Sequence, residues 1–406
     1  MGCIIRKEMA RIPIIITVFL GAASFSLFAD TVREAPFVPR DAESAAQGGS
    51  RVAVARGYGA LFSNPAGFAR GEASLTPVSI SVWMLARPRR IPALLDLLRR
   101  RDGDAPGKTD LPAAQFESDG FGLGAALGIG YAGGGLGIGF QAAFDGFFSG
   151  ASFPDDLTGE LLSEFSLVVG YAFTFQLSGA RLLLGADVRP LVRVHSLFDG
   201  DSTAALIHRF FGTSTSRDDL DPWENTWALN GSGIAVDAGL ILSSGPFSLG
   251  LAARDIFDTR LRYSWNSLDA VGSSLLRGGL PPMVVPPGDA DYLVPMSLSL
   301  GLAVEPDLGG LSRLLEPRLH GEVRDAFGAL DPPGPAVPFS RRLRLGAELG
   351  LFRLVRLRAG LDGGLPAFGA GLELPTLQIN CAVFRTRTGP DRREVPGVSL
   401  ELALRF

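Results

Sequence analysis

Apolar and polar residues alternate one by one through most of the chain beyond residue 75. The terminal stretch Pro396–Phe406 shows it plainly: Val398, Leu400, Leu402, Leu404 and Phe406 alternate with Ser399, Glu401, Ala403 and Arg405. A period of two places the first set on one face of a strand and the second on the other. The same alternation recurs upstream. Phe165, Leu167, Val169, Tyr171, Phe173, Phe175 and Leu177 oppose Ser166, Gly170, Thr174 and Gln176, and Leu343, Leu345, Ala347, Leu349 and Leu351 oppose Arg342, Arg344 and Glu348. Taken together the pattern predicts about fourteen strands, each near the 9–11 residues of a tilted membrane-spanning strand. One strand, Phe247 to Trp265, has its apolar face broken by Asp255, which predicts a bulge there.

The predicted connections sort by length. Ala132–Gly135, Ser178-Gly179, Ser244-Gly245 and Phe352-Arg353 are tight, whereas Leu85–Gly120, Ser196–Asn230 and Asn266–Asp291 are long. Glu305–Leu315, of middling length, is an exception. Short turns at one end and long loops at the other are the topology of an outer-membrane barrel. A secreted sandwich or propeller has no reason to sort its loops in this way.

Charge placement agrees. The faces opposite the apolar ones carry Arg189, Arg193, Arg254, Arg260, Arg262, Arg318, Arg324, Arg342, Arg344, Arg356, Arg358 and Arg405, with Asp187, Asp237, Glu322, Glu348, Asp362 and Glu401 among them. An arginine facing lipid at mid-depth costs about 2–4 kcal/mol. A dozen would exceed the whole stability of an ordinary domain, about 5–15 kcal/mol. These faces are therefore expected to point into the lumen. Tyr263, Trp265 and Tyr292, read on the apolar face, are expected in an aromatic girdle.

The N-terminus differs. Arg6, Lys7 and Arg11 precede the apolar run Ile12–Leu20, and small residues lead to Ala29, so residues 1–29 read as a signal peptide, with Met9 as an alternative start. Residues 30–74 have no sustained period but are too apolar and turn-rich for a free tail. Residues 75–406 hold the strands. Cys3 lies in the signal and Cys381 is alone in the mature chain, which excludes a disulfide framework. The 52 glycines suit an antiparallel structure with many tight turns, and a net charge of −4 gives no nucleic-acid signature.

Candidate chemistry is sparse. Gly128–Gly133 matches GxGxxG, but a turn and another strand follow where a dinucleotide site needs a helix. Gly103–Thr109 resembles a phosphate loop one residue short, after a possible short helix at Ile91–Arg101, and Arg217–Asp221 lacks a full cation-ligand pattern. His195, His208 and His320 have no metal-ligand spacing. No catalytic residue, metal or cofactor is expected, and the chain does not read as an enzyme.

The stretch Gly57-Tyr-Gly-Ala-Leu-Phe-Ser-Asn-Pro-Ala-Gly-Phe68 resembles the N-terminal plug motif of the FadL-type long-chain fatty-acid transporters. Leu251–Phe257 and Leu357–Gly364 look like a spirochaete branch of that superfamily. The resemblance implies an all-β fold: a single transmembrane antiparallel β-barrel of about fourteen strands, with residues 30–74 as a plug, or hatch, inside the lumen. It implies gating at Asn64, Pro65 and Ala66, and lateral release through a kinked third strand, Leu136–Phe144, followed by Asp145-Gly146. Arg189, Arg193, Arg254, Arg318, Arg342, Arg344, Arg356 and Arg358 are the candidates for lumenal ligand contact. They either attract an anionic head group or pair with the lumenal acids.

The expected function is passive uptake of hydrophobic compounds, long-chain fatty acids foremost, across the bacterial outer membrane. A non-transporting accessory barrel and a small-solute porin are the alternatives. Expected partners are outer-membrane lipid, a hydrophobic small molecule and the barrel-assembly machinery, reached through the C-terminal strand.

Overall fold

The computed structural model describes residues 32–86, 120–150, 157–203, 224, 226–282, 284, 291–329, 337–388 and 393–406. The expected signal peptide at residues 1–29, the Ile91–Arg101 and Gly103–Thr109 stretches, His208 and Arg217–Asp221 lie outside them. In chain order the elements begin with strand β1 (Val32–Arg33) and helices α1 (Ala42–Ala46) and α2 (Gly57–Ala60). The next strands are β2 (Ser74–Leu85), β3 (Phe121–Gly133), β4 (Leu136–Gly150), β5 (Leu157–Leu177), β6 (Ala180–Phe198), β7 (Trp227–Ser244), β8 (Phe247–Arg254) and β9 (Thr259–Ser267). After helix α3 (Leu268–Leu276) come β10 (Asp291–Val294), β11 (Ser297–Val304), β12 (Leu315–Val323), β13 (Leu343–Leu351), β14 (Val355–Asp362), β15 (Leu365–Glu373), β16 (Leu377–Thr388) and β17 (Arg393–Leu404).

All seventeen segments belong to one sheet. β1 is a two-residue addition, and β8–β9 and β10–β11 are each one interrupted strand, so fourteen staves remain. Each stave pairs antiparallel with the next. The last returns to the first, from Gly397↔Leu85 down to Leu404↔Val78. The closed sheet leaves no edge along this seam.

Alternation separates the two faces. On β7, Ile234 is 66% exposed while Asp237, three positions on and across the pleat, is 1% exposed. Phe173, Leu302 and Phe368 stand outward and exposed in the same way. A ring of outward apolar side chains around a closed wall, with charge inside, defines a transmembrane β-barrel of the outer-membrane type. At the short-turn end Gly179 has φ 80° in the two-residue turn between β5 and β6, and Phe352 and Arg353 take left-handed φ of 54° and 56° in the three-residue turn between β13 and β14. The far end is less regular than expected, because β14 and β15 are joined there by Gly363-Gly364 alone.

Two expectations fail in the wall. The third stave is not kinked: β4 pairs without interruption with β3 and with β5, through Asp145 and Gly146. The bulge expected at Asp255 is present, but it inverts the strand beyond it. Between Ser232↔Arg262 and Ala238↔Ala253 the partner strand takes nine steps to the six of β7. Three extra residues, with positive φ at Asp255, Phe257 and Asp258, exchange the faces of β9. Leu261 and Tyr263 are therefore buried, while Arg260 and Arg262 are exposed, the reverse of the predicted register. Tyr263 is not a girdle residue. Its ring meets Tyr292 edge-on at 4.7 Å and its hydroxyl donates to Glu34 at 2.7 Å.

Candidate functional site

The wall positions its inward groups against residues 34–70. Near the long-loop end Glu34 pairs with Arg193 at 3.2 Å. Arg40 reaches Asp145 of β4 and Thr386 of β16, and its carbonyl accepts from Ser399 of β17. Gln47 donates to Glu348 at 3.0 Å, and the backbone N–H groups of Arg51 and Val52 donate to the Glu322 carboxylate. Arg70 closes the series near the short turns on Glu305, at 2.8 Å.

Helix α1 is started by Asp41, whose carboxylate accepts from Ser44 N. Glu43, in its first turn, would be driven neutral by burial, but Arg358, Arg405 and Arg51 surround it and hold its carboxyl far below the usual range.

Asn64, Pro65 and Ala66 form the start of a 3-10 turn, Pro65–Ala69. Asn64 Oδ1 accepts from Ala66 N, capping the turn, and Nδ2 donates to the carbonyls of Val52, Leu240 and Leu251. Leu240 and Leu251 are register partners on β7 and β8, so the carboxamide grips two staves by their backbones. The close approach requires glycine in the wall: a Cβ at Gly239 would collide with the Asn64 side chain, and one at Gly185 with Pro65. Beneath it Phe68, Leu61, Leu183 and Ile241 form an apolar cluster.

Each of the eight arginines has a carboxylate partner. Arg189 contacts Asp255 at 3.1 Å and Asp237 at 3.3 Å, and Arg254 joins the same Asp237 at 3.1 Å. Arg193 bonds to Glu164 at 2.7 Å. Glu348 is a second hub, taking Arg358 at 2.7 Å and Arg318 at 3.0 Å. Arg356 bonds Glu316 at 2.6 Å and Glu373 at 2.8 Å, Arg344 bonds Asp362 at 3.1 Å, and Arg342 lies 3.4 Å from Asp325. Pairing of this kind satisfies buried charge that would otherwise be prohibitive.

A cavity of about 720 Å³ remains between residues 35–63 and the wall. Phe37, Tyr58, Phe62 and Phe384 contribute apolar surface to it. Of the eight candidate arginines, Arg189, Arg254, Arg342 and Arg344 line it, whereas Arg193, Arg318, Arg356 and Arg358 do not, and neither do Asn64, Pro65 and Ala66. Sequence reasoning placed Arg324 on the inward face without singling it out. Arg324 lines the cavity beside Arg344, and among the described residues no carboxylate lies within ion-pair distance of it. Its lack of a contact ion pair is a property of three-dimensional placement, with no counterpart in the alternation.

His320 is buried and its Nδ1 lies 3.0 Å from Ser50 Oγ, and His195 lies 3.8 Å from Glu160. Among the described residues no three His, Cys, Asp or Glu side chains are grouped to hold a metal. Gly128–Gly133 lies wholly within β3, with no helix after it.

No family model and no curated protein matches the chain. Among solved structures it is similar to a deltaS2S3 mutant of the monoaromatic hydrocarbon channel TodX, with 17% identity over 90% of this chain and 98% of that one, at a TM-score of 0.48. It is similar also to the Pseudomonas putida toluene transporter TodX, with 15% identity over 93% and 99% at a TM-score of 0.47. LpxR from Salmonella typhimurium shows 12% identity over 80% and 99% at 0.30. TodX is a FadL-family channel, the family that Gly57–Phe68 resembles. All three TM-scores are below 0.5, so the assignment of this chain as a transmembrane barrel rests on its own closed strand order, register and apolar outer face.

Proposed function

We propose that this protein is a passive outer-membrane channel for hydrophobic compounds, with residues 30–74 as its hatch and lateral release of the cargo. The observation that carries the reading is the lumenal cavity, whose lining includes Phe37, Tyr58 and Phe62 as well as Arg324 and Arg344. One cavity lined by both aromatic surface and guanidinium groups suits an amphipathic anion, an acyl chain with a carboxylate head. Long-chain fatty acids are the proposed cargo, with Arg324 the head-group contact through charge-assisted hydrogen bonds. The paired arginines hold the hatch and wall together. Asn64, Pro65 and Ala66 fasten the hatch rather than touch cargo, since they lie off the cavity.

The test joins planar-bilayer conductance to uptake of a fluorescent long-chain fatty acid by a deletion strain. A hatched channel gives negligible steady conductance together with uptake that is lost on deletion and restored by the gene. High steady conductance would leave the porin reading in front, and uptake unchanged by deletion would leave the accessory barrel. Arg324→Gln should weaken fatty-acid uptake while sparing a neutral hydrocarbon of similar size.

A further inference from the structure

The barrel wall is interrupted on one side. The seventh stave breaks at Asp255–Asp258 and the eighth at Pro295-Met296. On the short-turn side of the break, β11 pairs with β8 on one edge and with β12 on the other. Beyond the break, β10 pairs with β9 on one edge. Its second edge, where the ninth stave would continue, is taken by β1 in parallel, with Val32↔Tyr292 and Arg33↔Leu293 in register and Glu34 N donating to Leu293 O at 2.9 Å. The ninth stave turns away just below. Arg324 N bonds to Arg342 O, Asp325 has φ 48°, and Ala326 N reaches back to Leu298 O.

The N-terminal strand thus occupies a place in the wall that the ninth stave vacates. It is two residues long, and a parallel ladder is slightly weaker per residue than the antiparallel ladders around it. Glu34 pins it, through Arg193 at 3.2 Å and Tyr263 at 2.7 Å. Ala35–Asp41, next along the chain, line the cavity, as do Ser299 of the eighth stave and Arg324 beyond the ninth. Phe257 and Phe327, both exposed, flank the break with apolar surface.

We propose that β1 is a removable latch over a side port between the eighth and ninth staves, through which an apolar molecule passes between the cavity and the exterior. The port rests on the channel reading above and gives its lateral path a location, away from the unbroken third stave. Withdrawal of β1 needs no break in the antiparallel ladders of the other staves.

Neighbouring strands lie about 4.8 Å apart, within disulfide reach. Arg33→Cys with Leu293→Cys, in a Cys381→Ala background, therefore allows the latch to be locked by oxidation. In proteoliposomes, uptake of the fluorescent fatty acid should fall to the level of empty vesicles on oxidation and return with reductant. Wild-type uptake combined with an unaffected locked form would overturn the port. A second arm needs no transport. Ser299→Cys in the same background is labelled with a membrane-impermeant maleimide, with Glu34 intact, Glu34→Gln or Glu34→Ala. Loss of the charged pin should raise the labelling rate about tenfold. Equal rates in all three would overturn the latch even if the wild type carries no fatty acid, an outcome that by itself removes only the channel reading.

Discussion

Asn64 and Leu251 are 187 positions apart in sequence, yet the Asn64 carboxamide donates to the Leu251 carbonyl at 3.2 Å. The bond joins the turn at Pro65 to the wall through backbone, so no wall side chain can be mutated to remove it. Asn64→Asp keeps the shape and loses every amide donor, leaving buried carbonyls of Val52, Leu240 and Leu251 to compete for other partners. An unsatisfied buried group costs about 1–3 kcal/mol. The expected outcome is a normally inserted barrel whose residues 34–70 are cut by protease under conditions that spare the wild type. Gly239→Val, which drives a side chain into the place of Asn64, should give the same cleavage.

Glu348 ties wall to wall and wall to N-terminal segment, receiving Arg318, Arg358 and Gln47. Glu348→Ala would take from Arg318 and Arg358 the carboxylate nearest to each, leaving Glu305 for the first and Asn380 for the second. Breaking a buried pair from one side costs about 3–5 kcal/mol. The unfolding midpoint of the detergent-solubilised barrel should fall clearly, and by more than for Glu394→Ala, whose partner Arg387 is more exposed. Equal shifts would show that the hub adds nothing beyond a surface ion pair.

Docking of the N-terminal segment should weaken in acid. Glu43 stays ionised when docked to well below the usual carboxylate range. A depressed native value stabilises fully above the free value of about 4.3 and fades as pH falls below it. Protease access to residues 34–70 should therefore rise between pH 4.5 and pH 3. Glu43→Gln should show more access at neutral pH and a flatter profile. A wild-type profile with no rise in that window would refute the assignment.

Phe406 completes the seam, exchanging backbone hydrogen bonds of 2.8 Å each way with Leu75. Its ring is 64% exposed, so little packing is lost on its removal. Deleting it should impair insertion into the outer membrane, read as heat-modifiable barrel per exported chain, with export itself unchanged. Normal surface levels of the truncated chain would count against a role for this residue in recognition by the assembly machinery.

Much of the barrel was legible because lipid enforces it. Along most staves the outward positions are apolar, so Leu400 against Glu401, or Leu345 against Arg344, declare their faces in sequence. The register after Asp255 was not legible. Leu261 and Tyr263 alternate with Arg260 and Arg262 as a lipid face would, and only the three inserted residues, counted against β7, reverse them. The pairing of the arginines was hidden for a related reason. Period two tells that Arg358 and Glu348 point inward, but their proximity depends on the stagger of β13 against β14. Asn64 was marked by motif alone. Its three carbonyl partners come from two different staves and from Val52, which no local pattern relates to it.

The contact between Ser399 and the Arg40 carbonyl spans 359 positions. It cannot form until the last stave is in place, and neither can the bond from Glu43 N to Glu401. Loop-closure cost and folding time rise with such separations. Arg40 and Glu43, early in the chain, are thus among the last residues to acquire their native partners. For that interval the groups around them lack the wall contacts that finally satisfy them.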